Sequence, residues 1–177
     1  MKAFFTPFPL MRILRTSPLT LHPARCIKAP MVGKKSENKA VGMSRGGRNT
    51  KIHTLVDGLG NPLAFLLSPG NEHDSTHAVP LLQEIDIKGS NILGDKAYGA
   101  KAIRDYISSQ GAAYTIPPKE NCDTPWPVDW HTYKERHLIE CFFQKLKWFR
   151  RIFTRYDKLD SSFLAFVYIG AITVLLK

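Results

Sequence analysis

Acidic residues are almost missing from the first part of this chain. Up to Lys51 there are 11 Lys or Arg and a single carboxylate, Glu37, whereas from Ile52 onward 14 basic and 14 acidic residues balance. The net charge of +10 therefore belongs to the N-terminal stretch. A segment so one-sided is either a solvated tail or a surface that meets a polyanion. Cysteine is scarce as well. Cys26, Cys122 and Cys141 show no Cys-x-x-Cys spacing and no His pair beside them, which excludes a disulfide framework and a zinc site and fits a reducing cytoplasm. Long apolar runs are absent: residues 163–176 are too few to cross a bilayer. Residues 1–21 mix Arg, Pro and Phe without the clean apolar stretch and small-residue cleavage site of a signal peptide.

What is present is enough for one domain. At 177 residues, with 44% hydrophobic and 23% charged residues, the chain can bury a core of its own. Residues 1–43, with Pro7, Pro9, Pro18, Pro23 and Pro30, read as a basic, irregular arm, and residues 44–177 as the domain. Lys51 to Val56 and Leu63 to Ser68 flank the turn Asp57-Gly58-Leu59-Gly60-Asn61-Pro62 and predict a β-hairpin. Asp74 is expected to cap a short helix whose apolar face is Ala78, Leu81, Leu82 and Ile85. A buried strand from Asn91 runs to Asp95, a helix over 100–110 stops at Gly111, and Ala113 to Ile116 forms another short strand. One long helix over 131–156 and a last apolar helix over 161–176 complete a mixed α/β order.

Two carboxylates stand out. Asp95 ends an apolar strand, where α/β domains open a crevice, although an Asp there is equally a turn former or cap. At 100° per residue Tyr133, Arg136, Glu140 and Lys147 share one side of the long helix, opposite Leu138, Phe142, Leu146, Phe149 and Phe153. By itself such a row is an ordinary salt-bridged surface. An Asp at a strand end and a Glu on a facing helix are also the hard oxygen ligands that Mg²⁺ or Mn²⁺ takes for phosphodiester chemistry. Asp57 reads as a turn residue and His53, His73 and His77 as surface or hydrogen-bonding residues, while Trp126, Trp130 and Trp148 could stack on bases but read more readily as packing.

The spacing Tyr133-x2-Arg136-x3-Glu140-x6-Lys147 resembles the Y-(2)-R-(3)-E-(6)-K signature of DDE transposases from bacterial insertion sequences, in particular the insertion-sequence-five branch. Ser44-Arg45-Gly46-Gly47 with Lys51-Ile52-His53 is similar to that branch. So are Val56-Asp57-Gly58-Leu59-Gly60-Asn61-Pro62-Leu63, Pro69-Gly70-Asn71-Glu72-His73-Asp74-Ser75 and Gly94-Asp95-Lys96-Ala97-Tyr98. The likeness runs from about Gly33 to Lys177 and implies an RNase-H-like (retroviral-integrase-like) α/β fold, a mixed sheet flanked by helices. It implies that Asp95 and Glu140 are the second and third catalytic, metal-binding acids. Tyr133 and Arg136 would contact DNA near the reacting phosphate, and Lys147 would position the transposon end. Arg45, Arg48 and Lys51 in the basic patch, with Arg150 and Arg151 beyond the long helix, are further DNA-binding candidates.

The family's first acid lies on its first strand, upstream of the Ser-Arg-Gly-Gly entry. Here that region, Arg15 to Arg25, holds no Asp or Glu. The expectation is a frameshifted or truncated copy whose first strand is missing or degraded, with Pro18 and Pro23 leaving the Lys51 strand an open edge. The implied partner is double-stranded DNA, both transposon ends and target, with no membrane, and with a homo-oligomer or a mixed oligomer with intact transposase. Three functions follow: a metal-dependent transposase domain impaired by the missing Asp, a non-enzymatic DNA-binding remnant or inhibitor, and an RNase-H-like nuclease.

Overall fold

A computed structural model describes residues 11–17, 40–44 and 47–176, and of residues 11–17 and 44 the backbone alone. Its centre is a mixed sheet. Strand β1 (Met11–Ser17) pairs antiparallel with β3 (Gly47–Asp57) on one side and parallel with β5 (Asn91–Leu93) on the other. Beyond β3 lie β4 (Pro62–Pro69) and the short β2 (Gly42–Ser44), and beyond β5 the parallel β6 (Ala113–Thr115).

The strand at Met11–Ser17 overturns the expectation that the first strand is missing. It lies within the stretch read from sequence as an arm, and it is the strand on which the sheet turns from antiparallel to parallel. It stops at Ser17, before Pro18, so every residue in it keeps the backbone donor a ladder needs. β3 is consequently paired on both flanks and has no open edge along Ile52 to Asp57. Residues 1–10 and 18–39, which hold the rest of the arm and Cys26, lie outside the described residues.

The β3–β4 hairpin closes as expected. Asp57 Oδ1 accepts from the amides of Leu59 and Asn61 at 2.8 and 2.9 Å, and Gly60 takes φ +85°. Helices cover both faces. On one, α1 (Ala78–Gln83) and α2 (Lys101–Ser109) enclose Leu55, Leu81, Leu82, Ile92, Tyr98, Ile103 and Ile107. On the other, α4 (His137–Leu146) and α6 (Asp160–Leu175) enclose Ile52, Val56, Leu93, Ile139, Phe142, Phe143, Phe163 and Val167. Strands buried on both faces read as near-continuous apolar runs, which is why Ile52 to Val56 alternates only loosely.

Two local expectations change. Asp74 does not cap α1; a 3₁₀ turn over Asp74–His77 precedes the helix, and the carboxylate instead takes the Lys51 ammonium at 2.8 Å. The helix expected over 131–156 is broken into α3 (Trp130–Tyr133), a 3₁₀ turn over Lys134–Arg136, α4 and α5 (Arg150–Phe153). No Gly or Pro marks the second break. At Phe149 the backbone turns extended (φ −81°, ψ 102°), which lets Phe149 and Ile152 join Leu146 against Gly170 of α6.

Candidate active site

Asp95 leaves β5 through Gly94, which sits so close to Ile116 and Tyr98 that a Cβ would meet both at 3.4 Å. The backbone stays extended at Asp95 (φ −77°, ψ 174°), and its Oδ1 accepts from Ala97 N at 2.8 Å, capping the 3₁₀ turn Lys96–Tyr98. The residue is half-buried. Capping is thus one of its jobs, as the sequence allowed.

Glu140 stands on α4, one residue from Ile139, which packs with Leu93 of β5 in the same core. The helix therefore lies over the face on which Leu93 points, two residues before Asp95. Arg136 Nη1 meets Glu140 Oε1 at 2.8 Å, and the same guanidinium lies 5.7 Å from the centre of the Tyr133 ring. Arg136 Nε is buried with no hydrogen-bond partner among the described residues, an orphaned donor of the kind folded proteins seldom leave unless a further acceptor serves it. Tyr133, Arg136 and Glu140 thus form one group despite the 3₁₀ turn between them. Lys147, at the end of α4, is exposed and stands apart from them.

The registers of β1 locate a third position. Ile13 is level with Leu93, where the parallel pair ends, and counting two residues further along both chains sets position 15 against Asp95. In the antiparallel pair Ile13 opposes Val56, Arg15 opposes Thr54 and Ser17 opposes Ile52. Side chains alternate along a strand, so positions 13, 15 and 17 belong to the face of Val56 and Ile52, which is the α4 face. Continued in this way, the register sets position 15, an arginine, opposite Asp95 on the side of the sheet that α4 covers.

The sequence model of the family described as "Transposase DDE domain" matches residues 17–125. This chain belongs to the DDE transposases. A Brucella ovis protein assigned as the transposase for insertion sequence element IS6501 is 37% identical over 129 residues, covering 72% of this chain and 98% of that protein. Among solved structures, piggyBac transposase in a synaptic complex with hairpin DNA is similar in fold, with TM-score 0.56 and 10% identity. The match covers 94% of this chain, which spans about 45% of that transposase's length.

In this transposase the family match begins at Ser17, where β1 ends, and includes Asp95, while Glu140 lies beyond it. Carboxylate oxygens suit a hard divalent cation such as Mg²⁺. Asp95 and Glu140 are nevertheless two acids, and no three or more His, Cys, Asp or Glu gather as a metal-holding set among the described residues. Outside those residues the sequence offers one carboxylate, Glu37. The acids among the described residues do not by themselves make up a centre of two metal ions.

The basic candidates divide. Arg48 on β3 and Arg150 on α5 are exposed. Lys51 is held by Asp74 and by the Glu72 carbonyl at 2.6 Å. Arg151 is paired with Asp157 at 2.8 Å and laid over the Phe166 ring, and Arg45 lies outside the described residues.

Sequence reasoning missed a buried polar cluster. His53 is the hydrogen-bonding residue that one reading allowed, but it is not on the surface: it is 1% exposed, its Nε2 lies 2.6 Å from Ser68 Oγ, and its ring lies tilted 4.8 Å from that of His77, which pairs with Glu72. Burial above all, then the neighbouring His77, lowers its pKa to about 3. No sequence signal marked it, since the strands that flank it and the ring beside it come from elsewhere in the chain. At Gly70 a Cβ would fall 1.2 Å from Asn49 Oδ1. No helix among the described residues is long and apolar enough to cross a membrane.

Proposed function

We propose that this chain is the RNase-H-like catalytic domain of an insertion-sequence transposase that engages DNA but is one carboxylate short of cleaving it. The observation that carries this is the double register of β1, which makes Arg15 the neighbour of Asp95 on the face of α4. The order of strands supports the fold: an antiparallel hairpin on one side of a central strand and two parallel strands on the other. In this reading Asp95 and Glu140 are the remaining acids, and Tyr133, Arg136 and Lys147 contact the DNA backbone near them. Arg48 and Arg150 add charge that replaces counterions on the phosphates. Arg136 holds Glu140 in the geometry a ligand would need.

Without a carboxylate at position 15, a divalent cation meets too little negative charge, and an attacking oxygen is left unpositioned. A copy that holds DNA without cutting it would occupy transposon ends otherwise open to an intact enzyme. Mn²⁺ titration followed by electron paramagnetic resonance tests the reading. Arg15→Asp is expected to bind Mn²⁺ at least tenfold more tightly than the natural chain, and Asp95→Asn to abolish that gain. Equal affinity in the natural chain and Arg15→Asp would remove position 15 from the site.

A further inference from the structure

We propose that Trp148 is a stacking platform for an unpaired DNA base, held out from the basic end of α4; the inference rests on the DNA-binding reading above. The three tryptophans have different fates. Trp126 is covered by the Arg104 guanidinium at 3.7 Å and donates Nε1–H to the Ile116 carbonyl at 2.8 Å. Trp130 meets the Tyr133 ring edge-on at 5.6 Å. Trp148 is 80% exposed and has no ring contact or hydrogen-bonded indole among the described residues.

Its backbone, by contrast, is fixed. Lys147 N, Trp148 N and Phe149 N donate to the carbonyls of Phe143, Lys145 and Leu146 at 3.0, 3.2 and 3.2 Å. Leu146, Phe149 and Ile152 pin the turn against Gly170. The indole is thus offered to solvent from an anchored turn, at the entropic cost of two side-chain torsions and no loop ordering.

A lone exposed Trp needs no explanation by itself. Its surroundings supply one. Residues 141–156 contain five Lys or Arg and no Asp or Glu. Arg151 and Arg155 are spent on Asp157 and Asp160, whereas Lys145, Lys147 and Arg150 are exposed and without ion pairs among the described residues. An aromatic face amid unpaired cations is the combination that binds unpaired nucleic acid, cations tracking the backbone while bases stack. Trp148 lies two residues past the end of α4, on the turn that follows the helix carrying Glu140.

Fluorescence anisotropy with the full chain and end-labelled DNA tests this, using a fully paired duplex and the same duplex carrying a short unpaired stretch. Trp148→Ala is expected to weaken binding to the unpaired DNA by roughly 5- to 100-fold and to leave the paired duplex within about twofold. Trp148→Phe should keep most of the affinity, and Lys147→Gln should weaken both DNAs alike and lower the salt slope by about one. Equal loss on both DNAs, or no loss, overturns the platform while leaving the DNA-binding reading in place. Absence of salt-dependent binding by the natural chain to either DNA overturns both.

Discussion

His53 carries its proton balance inside the protein. The unfolded chain takes up a proton near pH 6.5, whereas the folded imidazole, depressed by burial and by His77 against the opposing pull of Asp74, resists until about 3. Between those values the unfolded state binds more protons, so this group's contribution is intact above about pH 6.5. It is lost as pH falls toward 3, at up to ~1.4 kcal/mol per pH unit. Urea unfolding at a series of pH values should show that slope, and His53→Gln, which retains a donor for Ser68, should flatten it between about pH 6.5 and 5. An unchanged slope in the variant would assign the acid sensitivity to other groups. At this scale the sequence was partly readable. Asp57, Asp95 and the Arg136–Glu140 pair were legible because each acts with neighbours within four residues. His53, Asp74 and Arg15 were not, because their surroundings come from strands and loops far along the chain.

The broken helix shows how tertiary contact overrides local pattern. Apolar spacing over 131–156 suits a continuous helix, yet α6 offers a niche at Gly170 that only a kinked chain fills. A Cβ there would lie 2.5 Å from Ile152 Cδ1 and 3.2 Å from Leu146 Cδ1. Gly170→Ala should therefore lose about 1 kcal/mol net, overpacking outweighing the better helix propensity, read as a lower urea midpoint. A raised midpoint would mean that the α4–α6 contact is loose. Nearby, Arg155 joins β3 to α6: it donates to Thr50 Oγ1 of β3 at 2.6 Å and to Asp160 Oδ1 of α6 at 2.6 Å, while Asp160 Oδ2 accepts from Ala40 N at 2.9 Å. Arg155→Met should cost about 2–4 kcal/mol, because Asp160 loses its counter-charge in a partly buried place. A loss below about 1 kcal/mol would make the latch ornamental. Strand β1 was hidden for a similar reason. Met11 to Ser17 is short, carries two arginines and lies among prolines, and only pairing on both flanks makes it a strand.

Across the whole molecule, charge and catalysis part company. The excess of Lys and Arg lies before Ile52, as the composition indicated, but deleting residues 1–51 would remove β1 and the start of β3, so the arm must be neutralised by substitution. Lys34, Lys35 and Lys39 changed together to Gln should weaken non-specific DNA binding and reduce the salt slope by up to ~0.9 for each phosphate no longer neutralised. An unchanged slope would move the interface to the Lys145 to Arg150 surface. In the proposed function this family member holds DNA with an incomplete set of carboxylates. The most direct measurement is nicking of transposon-end DNA by the purified chain in Mg²⁺, beside its Asp95→Ala variant. No cleavage above the variant's level is expected, while both proteins retain salt-dependent DNA binding. Mg²⁺-dependent nicking by the natural chain that Asp95→Ala abolishes would contradict the proposed function.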